Sequence, residues 1–492
     1  MSCAPQTSRS VAHAPGAAAE TDDATIRAVF DAQAATAFAL RDSSAAERRR
    51  KISRLRDAVL ARRNDWYAAF RADLGKPPVE VELTELLPVI DEARHALKHL
   101  RSWMRPRHVW PTLPTLGTKA RVVCQPRGRC LIVGPWNYPL NTLIGPLVSA
   151  VAAGNTVILK PSEFTPHVNA VVASVVAEVF ETREVALVEG AVATAERLLA
   201  LPFDHLFFTG SPAVGKLVMA AAAKHLASVT LELGGKSPAI VDASADVDAA
   251  AELLAWGKLT NAGQTCVAPD HVYVHRSVER RFVKRWREAV AERFGADDAA
   301  VASSADFGRM ISTRHAERVT ALLNDATSRG AKILAGGACD PAARYVGPTL
   351  LGEVPDSARI ETEEIFGPVL PLRVFDSIDD VIERINAAPK PLALYLWSRD
   401  RRRIASVTAR TSSGGMGLNH CVQQYAHGNL PFGGVNNSGI GNSHGVHGFR
   451  AFSHERAVLA AGPLMAVKFF FPPYSPLKLS LSRALVGMLA RL

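Results

Sequence analysis

The stretch from Arg129 to Leu233 sets the terms for any fold this chain can adopt. Five short apolar runs, CLIVG, TVILK, VALVEG, HLFFTG and VTLEL, are rich in β-branched and aromatic residues, and helical patterns such as LIGPLVSAVAAGN and VNAVVASVVAEVF lie between them. Strand and helix alternating at this spacing require right-handed crossovers and a parallel sheet covered on both faces. Such sheets bind ligands in the loops beyond the carboxyl ends of their strands. Those loops read GPWNYP, PSE, SPAVGK and GGKSP, each a turn of glycine, proline and polar residues.

The flanking sequence extends this α/β reading. From Ala24 to about Arg107 the apolar residues recur at helical spacing. Beyond Ala239 a second alternating series runs through AIVDA, HVYVH, KILAGG and LALYLWS, which predicts a further α/β unit. The glycine-dense SSGGMGLNH and LPFGGVNNSGIGNSHG read as compact loops, and no solenoid repeat is visible. With 48% hydrophobic and 21% charged residues over 492 positions, disorder is excluded as the general state. The net charge of +10 is scattered, and its densest run, Arg48 to Lys51, reads as a solvated helix face, which argues against a nucleic-acid partner.

Six cysteines form no CxxC pair and no zinc spacing, so no metal is expected and the thiols read as reduced and cytoplasmic. The first 23 residues lack the apolar core of a signal peptide and read as a flexible tail; no apolar run is long enough to cross a bilayer as a helix.

Several residues at these predicted strand ends carry chemistry. Cys266, in NAGQTCVAPD, sits among small and amide residues with no cysteine or histidine beside it; taken alone it reads as either an inert buried thiol or a nucleophile. Glu232, closing the apolar strand of LELGGK, is costly to bury unless paired or protonated, and reads as either a structural group or a general base. Asn137 in GPWNYP is either a turn residue or an amide donor for a developing oxyanion. GSPAVGKL nearly matches a triphosphate-cradling loop, but Leu217 stands where a magnesium-binding hydroxyl is needed. What survives is a small-residue helix start, suited to a pyrophosphate or simply a tight turn. Lys160 and Glu163 in LKPSE are either a surface ion pair or a grip on ribose hydroxyls.

Taken together, PWNYP, LKPSE, FTGS, LELGGKSP, NAGQTCVAPD, EEIFGPVLP and LPFGGVNNSGIG, in this order within a match that runs from about Ala24 to His454, resemble the NAD(P)-dependent aldehyde dehydrogenase superfamily. TCVAPD and the ending SHGVHGFRAFSHERAV resemble its class 3 branch of fatty, aromatic and coniferyl-type enzymes. The resemblance implies a Rossmann-type cofactor domain over 24–232, with 108–126 contributing to a small oligomerisation element. It implies a catalytic domain over 233–418, a return and oligomerisation segment over 419–460, and a C-terminal tail over 461–492.

It further implies Cys266 as nucleophile, Glu232 as general base and Asn137 as oxyanion donor. Lys160 and Glu163 would hold the adenosine ribose, and Gly210, Ser211 and Gly215 would face the pyrophosphate. Glu364 and Phe366 would hold the nicotinamide ribose and ring, while Pro135, Trp136 and Leu233 complete the cofactor surface. The cofactor expected is NAD, favoured over NADP by Glu163, and the enzyme is expected to be a homodimer acting on a hydrophobic aldehyde. A glutamate in LELGGK favours hydrolysis over acyl transfer; acylating, esterase or purely binding roles are the alternatives. Ala262 and Ser443 depart from residues common in class 3, and neither is expected to touch the chemical step.

After Pro476 the chain reads LKLSLSRALVGMLARL, with Leu481, Leu485, Met488, Leu489 and Leu492 on one helical stripe. This amphipathic helix is expected to pack on the body, gate the substrate mouth, or touch a membrane surface peripherally.

Overall fold

Each of the apolar runs is a strand of one sheet, in the computed structural model that describes residues 20–462 and 465–491. The order is Gly439–Ile440, Ser228–Leu233, His205–Gly210, Arg129–Val133, Thr156–Lys160, Val185–Leu187, parallel throughout except for the first strand. Alternate residues face opposite layers, as strand geometry dictates. Cys130, Ile132, Val157, Leu159 and Phe207 join a core with the helices Ala45–Ala61, Leu87–Trp103, Asn141–Ala153 and Pro166–Val179. Leu131, Ile158, Leu206 and Phe208 face the other side, against Asp23–Ala39, Val192–Leu199 and Pro212–Ala223. Burial on both faces is why these strands read as continuous apolar runs.

A second sheet runs Lys332–Ala335, Thr349–Gly352, Val369–Phe375, His271–His275, Pro238–Val241, Ala393–Trp397, Gly415–Leu418, parallel except for its first pair. The expectation of loops for the glycine-dense tracts needs correction here. Gly415–Leu418 is an edge strand in register with Ala393–Leu396, and Gly439–Ile440 pairs with Leu231 and Glu232 of the first sheet. Glycine carries no side-chain signal for a strand, and at Gly417 a Cβ would lie 2.8 Å from the Tyr395 ring, so close packing selects it.

Arg107–Val109, Thr118–Pro126 and Ser453–Ala461 form a separate antiparallel sheet. Ser453–Ala461 is an edge of that sheet, and most of its residues are exposed.

Two further expectations change. The basic run is not wholly a solvated face: Arg48 is buried and donates to the carbonyls of Ala152 and Ala153, at 3.0 and 2.6 Å, closing the end of Asn141–Ala153. The tail expected over residues 1–23 lies largely outside the described residues, but its last part is held. Asp22 caps Asp23–Ala39 through Thr25 N, at 2.9 Å, and the Glu20 carboxylate accepts the Thr194 N–H, also at 2.9 Å. The C-terminal helix, Pro476–Leu489, has no buried residue, so it does not pack on the body as one of the expectations had it. Among the described residues no helix is long and apolar enough to cross a membrane, and no group of side chains has the makings of a metal site.

Candidate active site

The loops at the carboxyl ends of the first sheet converge with one loop of the second. Pro135 to Asn137 follow Arg129–Val133, Lys160 ends its own strand, Gly210 and Ser211 join His205–Gly210 to the next helix, and Glu232 and Leu233 end Ser228–Leu233. The Cys266 loop lies between the helix Val247–Leu259 and the strand His271–His275.

That loop is bent to an unusual degree. Asn261, Ala262 and Gly263 are consecutive left-handed residues, with φ of 55°, 52° and 76°. A Cβ at Gly263 would stand 2.3 Å from the carbonyl of Gly367, so only glycine lets this turn rest against the EEIFGP segment. Gln264 braces the bend: its amide donates to the Asn261 and Arg309 carbonyls, at 3.0 Å each, and its Oε1 accepts the Ile311 N–H at 2.9 Å. Asn137, buried, donates through Nδ2 to the Gln264 carbonyl at 2.9 Å, and Asn261 Nδ2 donates to the Asn137 carbonyl at the same distance. The amide is thereby fixed to the backbone of the Cys266 loop. Beneath it the buried Lys76 and Glu85 pair at 2.7 Å, and Glu85 accepts the Asn141 N–H at 3.0 Å.

Cys266 and Glu232 open into one cleft, whose lining is mainly apolar and includes Phe207, Tyr425, Phe432 and His444. Burial pushes the Glu232 carboxyl up to about 8, with a hydrogen bond from Ser443 opposing. Ser443 Oγ donates to Glu232 Oε1 at 2.8 Å, while Oε2 is buried without a partner among the described residues. The expectation that Ser443 stands clear of the chemistry is therefore corrected: its hydroxyl touches the carboxylate that LELGGK singles out. Burial, together with the carboxylates of Glu364 and Glu232, pushes the Cys266 thiol up to about 12 against the help of its own N–H and that of Val267. Nearby N–H donors alone do not produce a thiolate at neutral pH.

The cofactor candidates lie outside that cleft, and their chemistry fits a dinucleotide. Ser211 caps Pro212–Ala223 by accepting the Val214 N–H at 3.4 Å; Pro212 has no N–H, so the Ala213 N–H is the one earlier donor of this helix left for an anion. Gly215 packs under Leu233, where a Cβ would meet Leu233 Cδ2 at 2.6 Å. Lys160 is 4% exposed, and its ammonium has Glu163 at 3.6 Å, so a nearly buried cation and a carboxylate stand together at the strand end. Trp136 and Phe366 meet edge to face at 5.4 Å, and His315, which sequence reasoning missed, packs on Trp136 at 4.9 Å. Burial keeps that imidazole neutral, holding its pKa at about 4.

The EEIFGP segment is held by residues that were also missed. Asp270 Oδ1 accepts the Ile365 N–H at 2.9 Å; Lys236 pairs with Asp270 and donates to the Ile360 and Glu363 carbonyls, at 2.8 and 3.1 Å; Arg318 donates to the Glu364 carbonyl at 3.1 Å. Burial of Asp270 favours its neutral form, but the Lys236 ammonium overrides this and holds the carboxyl well below the usual range. Burial, and then the charge of Asp270, raise the Glu364 carboxyl to about 7. Both Lys236 and Asp270 lie inside motifs visible in the sequence, but only their juxtaposition shows that they clamp a loop about a hundred residues on, since Ile365 is 95 residues from Asp270.

Comparison with known proteins agrees with this architecture. The family model described as aldehyde dehydrogenase family matches residues 1–458. The chain is 40% identical to the 4,4'-diaponeurosporen-aldehyde dehydrogenase of Staphylococcus aureus, covering 87% of this chain and 92% of that one. It is 41% identical to the dimeric NADP-preferring aldehyde dehydrogenase of Rattus norvegicus, covering 84% and 89%. The structure of the substrate-bound state of Staphylococcus aureus AldH superposes with a TM-score of 0.89 at 38% identity, covering 94% of this chain and 99% of that one. With its match running nearly end to end and its nucleotide-type sheet beside a cysteine-bearing one, the chain belongs to the aldehyde dehydrogenase family and is an NAD(P)-dependent enzyme of that family.

Proposed function

We propose that this enzyme oxidises a hydrophobic aldehyde, aliphatic of medium or long chain or aromatic, to its carboxylic acid, through an acyl group carried on Cys266. The observation that carries this reading is that Cys266 and Glu232 share one mainly apolar cleft. The Staphylococcus aureus relative, a 4,4'-diaponeurosporen-aldehyde dehydrogenase by name, supports a hydrophobic substrate.

Cys266 attacks the carbonyl carbon as a thiolate. Asn137 spends one amide N–H on Gln264, and the other, with the Cys266 backbone N–H, stabilises the tetrahedral oxyanion. When bound, an oxidised nicotinamide would supply a hydride acceptor and positive charge near the thiol, and loss of hydride from the tetrahedral carbon leaves a thioester on Cys266. Glu232 then takes a proton from water as the water oxygen bonds to the thioester carbon, the C–S bond breaks and the acid departs. Trp136, Phe366 and Glu364 would hold the nicotinamide end, Lys160 and Glu163 the adenosine ribose, and Gly210, Ser211 and Gly215 the pyrophosphate. The Glu163 carboxylate supports NAD as preferred cofactor, with NADP as the alternative that the rat relative's name offers.

The partner is a second copy of the chain, in the cytoplasm. Ser453–Ala461 is an open edge strand of nine residues, the kind of edge that a protein pairs or covers. The unburied basic helix Pro476–Leu489 supports a peripheral membrane contact or a cap over a substrate mouth rather than packing on its own body. The test is NAD and NADP reduction across aldehydes of increasing length and several aromatic ones, with Cys266→Ala as control. A rate that rises with hydrophobicity and vanishes in the variant is expected; turnover by Cys266→Ala would refute the assignment.

A further inference from the structure

We propose that Ser443 is the positioning residue of the Glu232 carboxylate: its hydroxyl fixes Oε1 and stabilises the ionised form, leaving Oε2 to take the proton of the attacking water. The inference rests on the reading of Glu232 as general base.

The geometry leaves the hydroxyl proton little choice. Ser443 Oγ lies 2.8 Å from Glu232 Oε1 and 3.3 Å from the Phe432 carbonyl. That carbonyl already accepts the Ser443 N–H at 2.7 Å, so the single hydroxyl proton goes to the shorter, charge-assisted bond. Oε2 has no partner among the described residues and is the free acceptor.

The loop that carries the serine is rigidly seated. Gly445 N donates to both carboxyl oxygens of the buried Glu92, at 3.0 Å each. Gly445 is left-handed, with φ of 52°, and a Cβ there would lie 2.3 Å from the Gly428 carbonyl. His444 stacks on Phe432 at 5.2 Å and meets Tyr425 edge on at 4.7 Å. The same segment grips the base through its backbone, since Gly439 pairs with Glu232 and the Leu233 N–H donates to the Ser438 carbonyl at 3.1 Å. The return segment thus holds both the main chain and the side chain of the base.

The consequence is electrostatic. The titratable groups that share the cleft with Glu232 are Cys266, Tyr425, Asp91, Glu92 and His444. None of them is a cation at neutral pH: burial lowers the His444 imidazole to about 4 and raises the Tyr425 phenol well above its usual range. Ser443 is therefore the neighbour that lowers the proton affinity that burial raises.

The test follows the lifetime of the acyl-enzyme by rapid quench and intact mass, from pH 6 to 10, with decanal and NAD on the full-length enzyme. Wild type is compared with Ser443→Ala, Ser443→Thr and Glu232→Gln. Ser443→Ala is expected to form acyl-enzyme normally but to move the deacylation profile alkaline by about one pH unit or more, the worth of a hydrogen bond to a charged group. Ser443→Thr, which keeps the hydroxyl, is expected to restore the profile. A Ser443→Ala profile that superposes on wild type while Glu232→Gln stalls deacylation would overturn the role of Ser443 alone. A loss equal at every pH and not rescued by threonine would overturn it equally, marking the serine as merely structural. Wild-type deacylation by Glu232→Gln would overturn the reading of the base and this inference with it.

Discussion

Asn137 Nδ2 and the Gln264 carbonyl, 127 residues apart, meet at 2.9 Å. This one bond ties a loop of the nucleotide-type sheet to the backbone of the Cys266 loop, and it leaves a second amide N–H on Asn137, which the proposed mechanism assigns to the substrate oxyanion. Replacing Asn137 with Ala removes both functions. The expected result is a fall in kcat of about 10²- to 10³-fold with cofactor affinity retained, measured by stopped-flow kinetics and cofactor fluorescence titration. Parallel losses of kcat and cofactor binding would instead mean that the loop had collapsed.

Glu232 also makes a prediction about stability. Burial raises its carboxyl to about 8, so the folded protein binds a proton that the unfolded chain releases at ordinary carboxylate pH. The favourable contribution is fully present below the unfolded value and is lost as pH climbs through about 8. Glu232→Gln cannot ionise, so its Tm relative to wild type should rise from pH 5 to about pH 8 in thermal melts and level off above that. A gap that stays constant over that range would count against the buried, uncompensated carboxylate.

Gly263→Ala should be among the costliest single-methyl changes in this protein. The residue has φ of 76° and its added Cβ would stand 2.3 Å from the Gly367 carbonyl. Denaturant titration should show a loss of about 2 kcal/mol or more. Because Cys266 is three residues on, acylation should slow as well; unaltered stability and rate would show that the two loops can separate freely.

The tail helix predicts the opposite. None of Pro476–Leu489 is buried, so truncation after Ser475 should leave Tm within about 2 °C of the full chain. The informative readout is the substrate profile across chain lengths and vesicle co-sedimentation, where a change in either identifies what the helix serves.

The readable parts of this molecule were those where a local pattern is also the structural cause. Parallel strands buried on both faces must be apolar runs, so the first sheet was visible, and the ligand loops follow from where such strands end. Cys266, Glu232 and Asn137 could be picked out because each is a reactive or polar group at such an end. Ser443 could not be, since its contact with Glu232 spans 211 residues and a serine in a glycine-rich tract has many ordinary uses. Arg48 was misread because helical periodicity in a basic run says nothing about the carbonyls of Ala152 and Ala153 that receive it. Gly415–Leu418 was missed because a strand selected for closeness to Tyr395 carries no β-branched signature.

The most direct test of the account is the mass of the enzyme caught between its two half-reactions. Glu232→Gln mixed with decanal and NAD, quenched within one turnover and digested, should carry one decanoyl group per subunit on the peptide containing Cys266, with one equivalent of NADH formed. NADH without an acyl group on Cys266, or an acyl group on another residue, would contradict the central claim.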